Sequence, residues 1–121
     1  GARLVAIQKN RYWRTGDGLT LDAGPFVAAI EFASGRSATV AGKPSAPFFR
    51  GAAAAMGLEA ADLVVVGDDV DSDVRGAMAA GARGVLVRTG KFRPADLDAA
   101  PAPDAVVDSV ADVPHLLGLA G

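Results

Sequence analysis

"VVVGDDVDSD", Val64–Asp73, passes from three valines through one glycine into four carboxylates within six residues: Asp68, Asp69, Asp71 and Asp73. Together with the two residues before it, "DLVVVG" reads as an uninterrupted apolar strand, a kind usual in the middle of a parallel sheet covered on both faces. "SDVRGAMAAG" then reads as a helix and "GVLVRTG" as a second apolar strand. Leu63–Arg88 is therefore strand, helix, strand: one parallel crossover unit, expected to be right-handed. The fold class this predicts is α/β. Carboxylates crowded at a strand end raise one another's pKa values unless something positive sits among them, so the stretch calls for a cationic partner.

Upstream, "LVAI" (Leu4–Ile7) suits a buried strand and is followed by the turn-prone, polar-aromatic "QKNRYWRTGDG". Pro25 opens a helix, "PFVAAIEFAS", with Phe26, Ile30 and Ala33 on one face and Gly35 as its stop. "ATVAG" makes a brief strand. Ser45 is placed to cap a second helix, "APFFRGAAAAMG", whose first turn tolerates Pro47. Downstream come a short helix near Pro94–Ala99, a Pro-rich loop, a strand "DAVVD" and a closing helix near Ala111–Leu117. The chain changes character between Gly35 and Val40, which divides it into residues 1–36 and 37–121. No internal repeat is present.

At 121 residues, half of them hydrophobic and 21% charged, the chain has about the length of one domain with a modest core. Twelve Lys and Arg against fourteen Asp and Glu leave a net charge of -2. No basic run offers a nucleic-acid backbone a partner. The absence of cysteine excludes disulfides, thiol nucleophiles and Cys-ligated zinc, and agrees with a reducing compartment. With no apolar run near the roughly 20 residues a bilayer span requires, and no signal-peptide pattern, the expected location is the cytoplasm, without a membrane partner. Gly1 is not methionine and "RLVAI" reads as a strand already under way, so the chain is expected to be a fragment.

In an open parallel sheet, ligands gather beyond the carboxyl ends of the strands, where Asp68–Asp73 falls. Oxygen-only donors suit a hard cation, and Mg²⁺ takes one or two carboxylates plus waters and substrate phosphate. The plainer alternative is that Asp71 and Asp73 cap the following helix and favour its dipole. A calcium-binding EF-hand is excluded, because Val74 stands where its turn glycine belongs and Ala80 where its bidentate Glu belongs. "GVLVRTGKF" is no P-loop: five residues separate its glycines, and Phe92 follows Lys91 where Ser or Thr should hold the metal. "GDDVDSDVRG" is no dinucleotide fingerprint. The single histidine, His115, lies in the last helix and suits a surface or helix-end role better than a catalytic triad. Lys43, in "VAGKPS", is held near a strand end, where it could neutralise the acidic cluster and grip a phosphoryl oxygen.

"GKPS", followed by "GDDVDSD" starting 24 residues after the lysine, resembles motifs three and four of the haloacid-dehalogenase (HAD) superfamily of phosphohydrolases. "LVAIQKNRYWRTGDGL", "GPFVAAIEFASGRSATVAGKPSAPFF" and "VVVGDDVDSDVRGAMAAGARGVLVRTGKFRPADL" are similar to the C-terminal half of its subfamily IIA, which carries a large inserted α/β cap. The resemblance implies a three-layer Rossmann-like core over residues 37–121 and the tail of the cap over residues 1–36. It implies Mg²⁺ as cofactor, with Asp68 a direct ligand and Asp69 joining it at the metal. Asp73 would orient the metal's waters and the lysine, and Lys43 would bind the transferring phosphoryl group. Thr89 and Gly90 would border the site, and Asn10, Arg11 and Tyr12 would meet a small phosphorylated substrate from the cap. The family's nucleophile sits in an early Asp-x-Asp motif, and none occurs ahead of Lys43. "TGDGLTLD" only echoes it, with Thr15 in the nucleophile's place. The chain alone is therefore expected to be catalytically incomplete, with an exposed sheet edge that invites self-association or a partner strand.

Two other classes remain open at this point. A phospho-receiver module also combines acids, Thr and Lys at strand ends, but places its lysine late, whereas Lys43 comes first. A non-catalytic assembly module, or pseudo-enzyme fragment, would need no metal at all.

Overall fold

The structure is a computed structural model that describes residues 1–98 and 100–119. It divides into two compact units, Gly1–Lys43 and Pro44–Gly121.

In the first unit, β1 (Val5–Ala6) pairs in parallel with β4 (Thr39–Val40). This pairing places the contact boundary at Lys43 and keeps Thr39–Val40 with the residues before position 36, beyond the division drawn from composition. Tyr12–Thr15 (β2) and Gly18–Leu21 (β3) form an antiparallel hairpin that begins inside the stretch expected to be a turn and runs past its end at Gly18. Gly16 and Asp17 are its two-residue connection, and the positive φ beside it falls on Gly18, at 128°, which glycine adopts readily. Helix α1 (Ala23–Ser34) starts two residues earlier than Pro25 because Asp22 caps it, accepting from the Ala23 N–H at 2.7 Å. It stops where Gly35 turns left-handed at φ 65°. Gly24 is buried against the Lys9 and Asn10 carbonyls, and its N–H donates to Asn10 O at 2.8 Å, so any side chain there would strike backbone.

The expected burial of this unit needs correction. Ala6 is buried, but Val5 and Ile7 are exposed, and so are Phe26, Ile30, Phe32 and Ala33 of α1. The apolar face of the helix exists in the pattern but lacks a cover in this unit.

In the second unit, α2 (Ala46–Ala55) buries Phe49 and Ala53, one turn apart, against Leu63, Ala77, Ala80 and Ala82. Ser45 sits at its N-cap without a side-chain cap bond, and its Oγ is buried with no hydrogen-bond partner among the described residues. Strands β5 (Val64–Gly67), β6 (Arg83–Val87) and β7 (Ala105–Val107) form a parallel sheet in that order. β6 is therefore the central strand, with Val85 and Leu86 fully buried. β5, expected in the middle, is an edge among the described residues, its valines only partly buried. A strand is central only when both neighbours are present, a property of the sheet that its own residues do not carry.

The crossover after β5 begins as a π-helical turn, Val70–Arg75, and continues as α3 (Gly76–Ala79). Such turns are rare and often mark functional sites. Gly76 lets Pro44 approach so closely that a Cβ would meet the proline ring at 2.8 Å. The helix expected near Pro94 is a 3₁₀ turn over Pro94–Leu97, and its expected end at Ala99 lies outside the described residues. The closing helix is α4 (Val113–Leu116), preceded by a 3₁₀ turn. No helix among the described residues is long and apolar enough to cross a membrane.

Candidate active site

Parallel pairing of Val66 with Val85 and of Gly67 with Leu86 sets the ends of β5 and β6 side by side. The segments leaving them, Asp68–Asp73 and Arg88–Lys91, meet there. Asp68 Oδ2 accepts from the Lys91 backbone N–H at 2.7 Å. Asp69 Oδ2 receives the Lys91 ammonium at 3.1 Å, while its Oδ1 accepts from the Ser72 N–H at 3.0 Å. Asp73 is buried, and its Oδ2 accepts from the Asp69 N–H at 3.3 Å. Three of the four acids thus form one cluster. Asp71 leaves it: its carboxylate is exposed and pairs with Arg75 at 2.7 Å. The capping role expected of Asp71 and Asp73 falls to Asp69, while both acids do stand in the first turn, where negative charge favours the dipole.

Two glycines make the cluster possible. A Cβ on Gly67 would run into the Asp73 carboxylate, and one on Gly90 into Asp68 Oδ2. Gly90 also has φ +56°, a left-handed conformation that glycine adopts without steric penalty. Burial works to raise the Asp69 carboxyl, but hydrogen bonds from Ser72 N–H and the Lys91 ammonium, with that ammonium's charge, hold it below the usual carboxylate range. The same Asp69 hydrogen bond raises Lys91 against its desolvation, and the charges of Asp69, Asp68 and Asp73 add to it.

Lys91 is the residue that sequence reasoning missed. Its place fails the P-loop pattern; the signal that could have found it is a glycine-lysine pair directly after the strand neighbouring "VVVGDD". Thr89 is exposed in the same segment, its carbonyl accepting from Phe92 N–H at 3.1 Å. Lys43 ends the first unit, just after the β4 strand. Asn10, Arg11 and Tyr12 lie in that unit at the entry to the hairpin, Tyr12 pairing with Leu21. Arg11 and Tyr12 line a shallow cavity of about 390 Å³ with Lys9, Leu21 and Pro25. His115 is exposed on α4. The cavity of about 640 Å³ in the second unit, walled by Arg50, Ala53, Leu58, Glu59 and Gly81, opens where the chain enters β5 and β6, at the sheet edge opposite the acids.

The donors suit a hard cation. Asp68 and Asp69 offer only oxygen, and Gly90 carries no side chain to displace the Asp68 carboxylate. Among the described residues no group of three or more His, Cys, Asp or Glu is arranged to hold a metal. Two carboxylates completed by water and a phosphate is the arrangement these residues permit.

Fold and site together define an α/β protein with a carboxylate-lysine cluster at the carboxyl edge of a parallel sheet. Residues 40–113 match the sequence model of the HAD-hydrolase-like family, and the chain belongs to that family. It is 49% identical over 119 residues to the bovine (Bos taurus) haloacid dehalogenase-like hydrolase domain-containing protein 2, covering 97% of this chain and 46% of that protein. The p-nitrophenyl phosphatase of Archaeoglobus fulgidus superposes with a TM-score of 0.84 at 35% identity, over 94% of this chain and 46% of that one. A glycerol phosphate phosphatase of Mycobacterium tuberculosis in complex with magnesium gives 0.81 at 33% identity, over 93% and 35%. The chain spans about half the length of the curated relatives it matches.

Proposed function

We propose that this chain is the cation- and phosphate-holding part of a Mg²⁺-dependent phosphatase acting on a small phosphorylated substrate in the cytoplasm. The observation that carries this reading is the Asp68–Asp69–Asp73 cluster with Gly90 and Lys91 at adjacent strand ends. The phosphatases named among its relatives share phosphate chemistry and differ in leaving group, which favours a small phosphorylated substrate over any particular one.

In this reading residues 1–36 are the tail of the cap, and residues 37–121 the C-terminal half of the core, with β4 as the connecting strand. Asp68 and Asp69 hold Mg²⁺, which when bound supplies positive charge beside the phosphoryl oxygens. Asp73 fixes Asp69 through its backbone N–H and orients water and lysine. Lys43 binds the phosphoryl oxygens, and Thr89 borders them. Asn10, Arg11 and Tyr12 contact the leaving group. The phosphorus would be attacked by an aspartate in an Asp-x-Asp motif, the P–O bond to the leaving group breaking as an aspartyl-phosphate forms, which water then hydrolyses. These 121 residues hold no such motif ahead of Lys43, so they do not turn over substrate alone.

Calorimetric titration with Mg²⁺ tests the site. Even outer-shell changes weaken metal binding about 10–100-fold, so Asp68→Asn, which alters a ligand, should weaken it at least as much. Equal binding by parent and variant would remove Asp68 from the site, and no binding by the parent would favour the non-catalytic assembly module. The open β5 edge is also expected to pair with another strand, giving a concentration-dependent dimer or larger species by light scattering. A monomer at all concentrations would show that the edge is protected.

A further inference from the structure

We propose that Lys91 is the resident counter-ion of the Asp68–Asp69 pair and yields Asp69 when a divalent cation binds, so that it sets the site's cation affinity. The inference rests on the cation site proposed above and adds a residue to it.

Lys91 acts on the two acids through different atoms. Its backbone N–H holds Asp68 Oδ2 at 2.7 Å, whatever the side chain; its ammonium holds Asp69 Oδ2 at 3.1 Å. The first contact is fixed by the turn at Gly90, whose missing Cβ brings the chain against Asp68. The second is weak by construction. The Lys91 side chain is 70% exposed and Asp69 28%, and ion pairs open to water contribute little because solvent screens them and long side chains lose entropy in forming them. A lysine ammonium is a point charge on a flexible stem, able to swing into water without disturbing its backbone. Asp69 itself stays in place when the ammonium leaves, because Oδ1 remains on the Ser72 N–H and the Asp69 N–H remains on Asp73. The geometry is therefore that of a preformed carboxylate pair with an exchangeable cation on one member and a fixed N–H on the other.

The test is Mn²⁺ and Mg²⁺ binding to the 121-residue chain and its Lys91→Met, Lys91→Arg and Asp68→Asn variants. A unit charge a few ångströms from a divalent ion at a solvent-facing site is worth about a factor of ten in affinity. Lys91→Met should bind the cation about tenfold more tightly at low salt, with the gap closing at high salt as screening removes the repulsion. Lys91→Arg keeps the charge and should stay near the parent. Melting curves give a second signature. The gain in Tm on adding Mg²⁺ should be larger for Lys91→Met than for the parent, since the cation no longer displaces an ammonium. A lysine with only a structural role would lower the melting points with and without cation alike. Unchanged or weaker cation binding in Lys91→Met, with binding still lost in Asp68→Asn, overturns this inference alone. No binding by the parent overturns the cation site and this inference together.

Discussion

Leu86→Ala is expected to destabilise the second unit by about 2–5 kcal/mol, the range for removing a fully buried leucine from a core that cannot collapse around the loss. Leu86 is wholly inaccessible to solvent on the central strand, and it packs against Val70 and Val74, with Met78, Phe92 and Val106 at the margin of the same cluster. Val70 and Val74 each adjoin an acid of the site, Asp69 and Asp73, and Phe92 follows Lys91. One side chain therefore supports both segments from below. Against the roughly 5–15 kcal/mol by which domains are stable, the loss is large. Urea titration followed by circular dichroism should show a clearly lower midpoint; a midpoint within error of the parent would mean that the strand does not depend on this packing.

Gly90→Ala is expected to injure the site more than the fold. Its Cβ would collide hard with Asp68 Oδ2, well inside contact distance, while the backbone is held at φ +56°. The left-handed strain alone costs on the order of 1 kcal/mol. Relief of the collision displaces either the Asp68 carboxylate or the Lys91 N–H that fixes it. Cation affinity should fall by about tenfold or more, as for the loss of an orienting partner, while far-UV circular dichroism is retained. Gly118→Ala is the control: Gly118 has φ +70° and no atom of the described residues near its Cβ, so it carries similar backbone strain without touching the acids. Equal cation binding by Gly90→Ala and the parent would show that Asp68 is not held by this turn.

Much of this arrangement was legible in the residue order. The valines before Gly67 and the run after Gly84 are strands, the segment after Ser45 does form a helix, and the Gly-Asp-Asp step does fall at a strand's carboxyl end. These features are local, because apolar runs, glycine stops and proline starts act within a few residues. The hairpin at Tyr12–Leu21 was also within reach, through a glycine-led two-residue turn between β-prone residues, but its polar and aromatic composition reads equally as loop.

What the sequence determined by itself is the kind of chemistry: oxygen donors without thiols, bunched after an apolar strand, with a Lys-Pro-Ser step upstream that resembles a phosphohydrolase motif. Tertiary structure alone decided which acids act together and what faces them. Asp71 and Asp73 are two residues apart and so face opposite sides of a helical turn; the packing of that turn on β5 and β6 decides that Asp73 is buried behind Asp69 while Asp71 turns out to Arg75. Lys91 reaches Asp69 across 22 residues only through the parallel register of β5 on β6. Burial followed the same rule: Val85 and Leu86 are sealed by neighbours on both sides, whereas the equally apolar Val64–Val66 and Phe26 are not. Hydrophobicity states what a side chain favours, and only the packing of distant segments determines whether it is met.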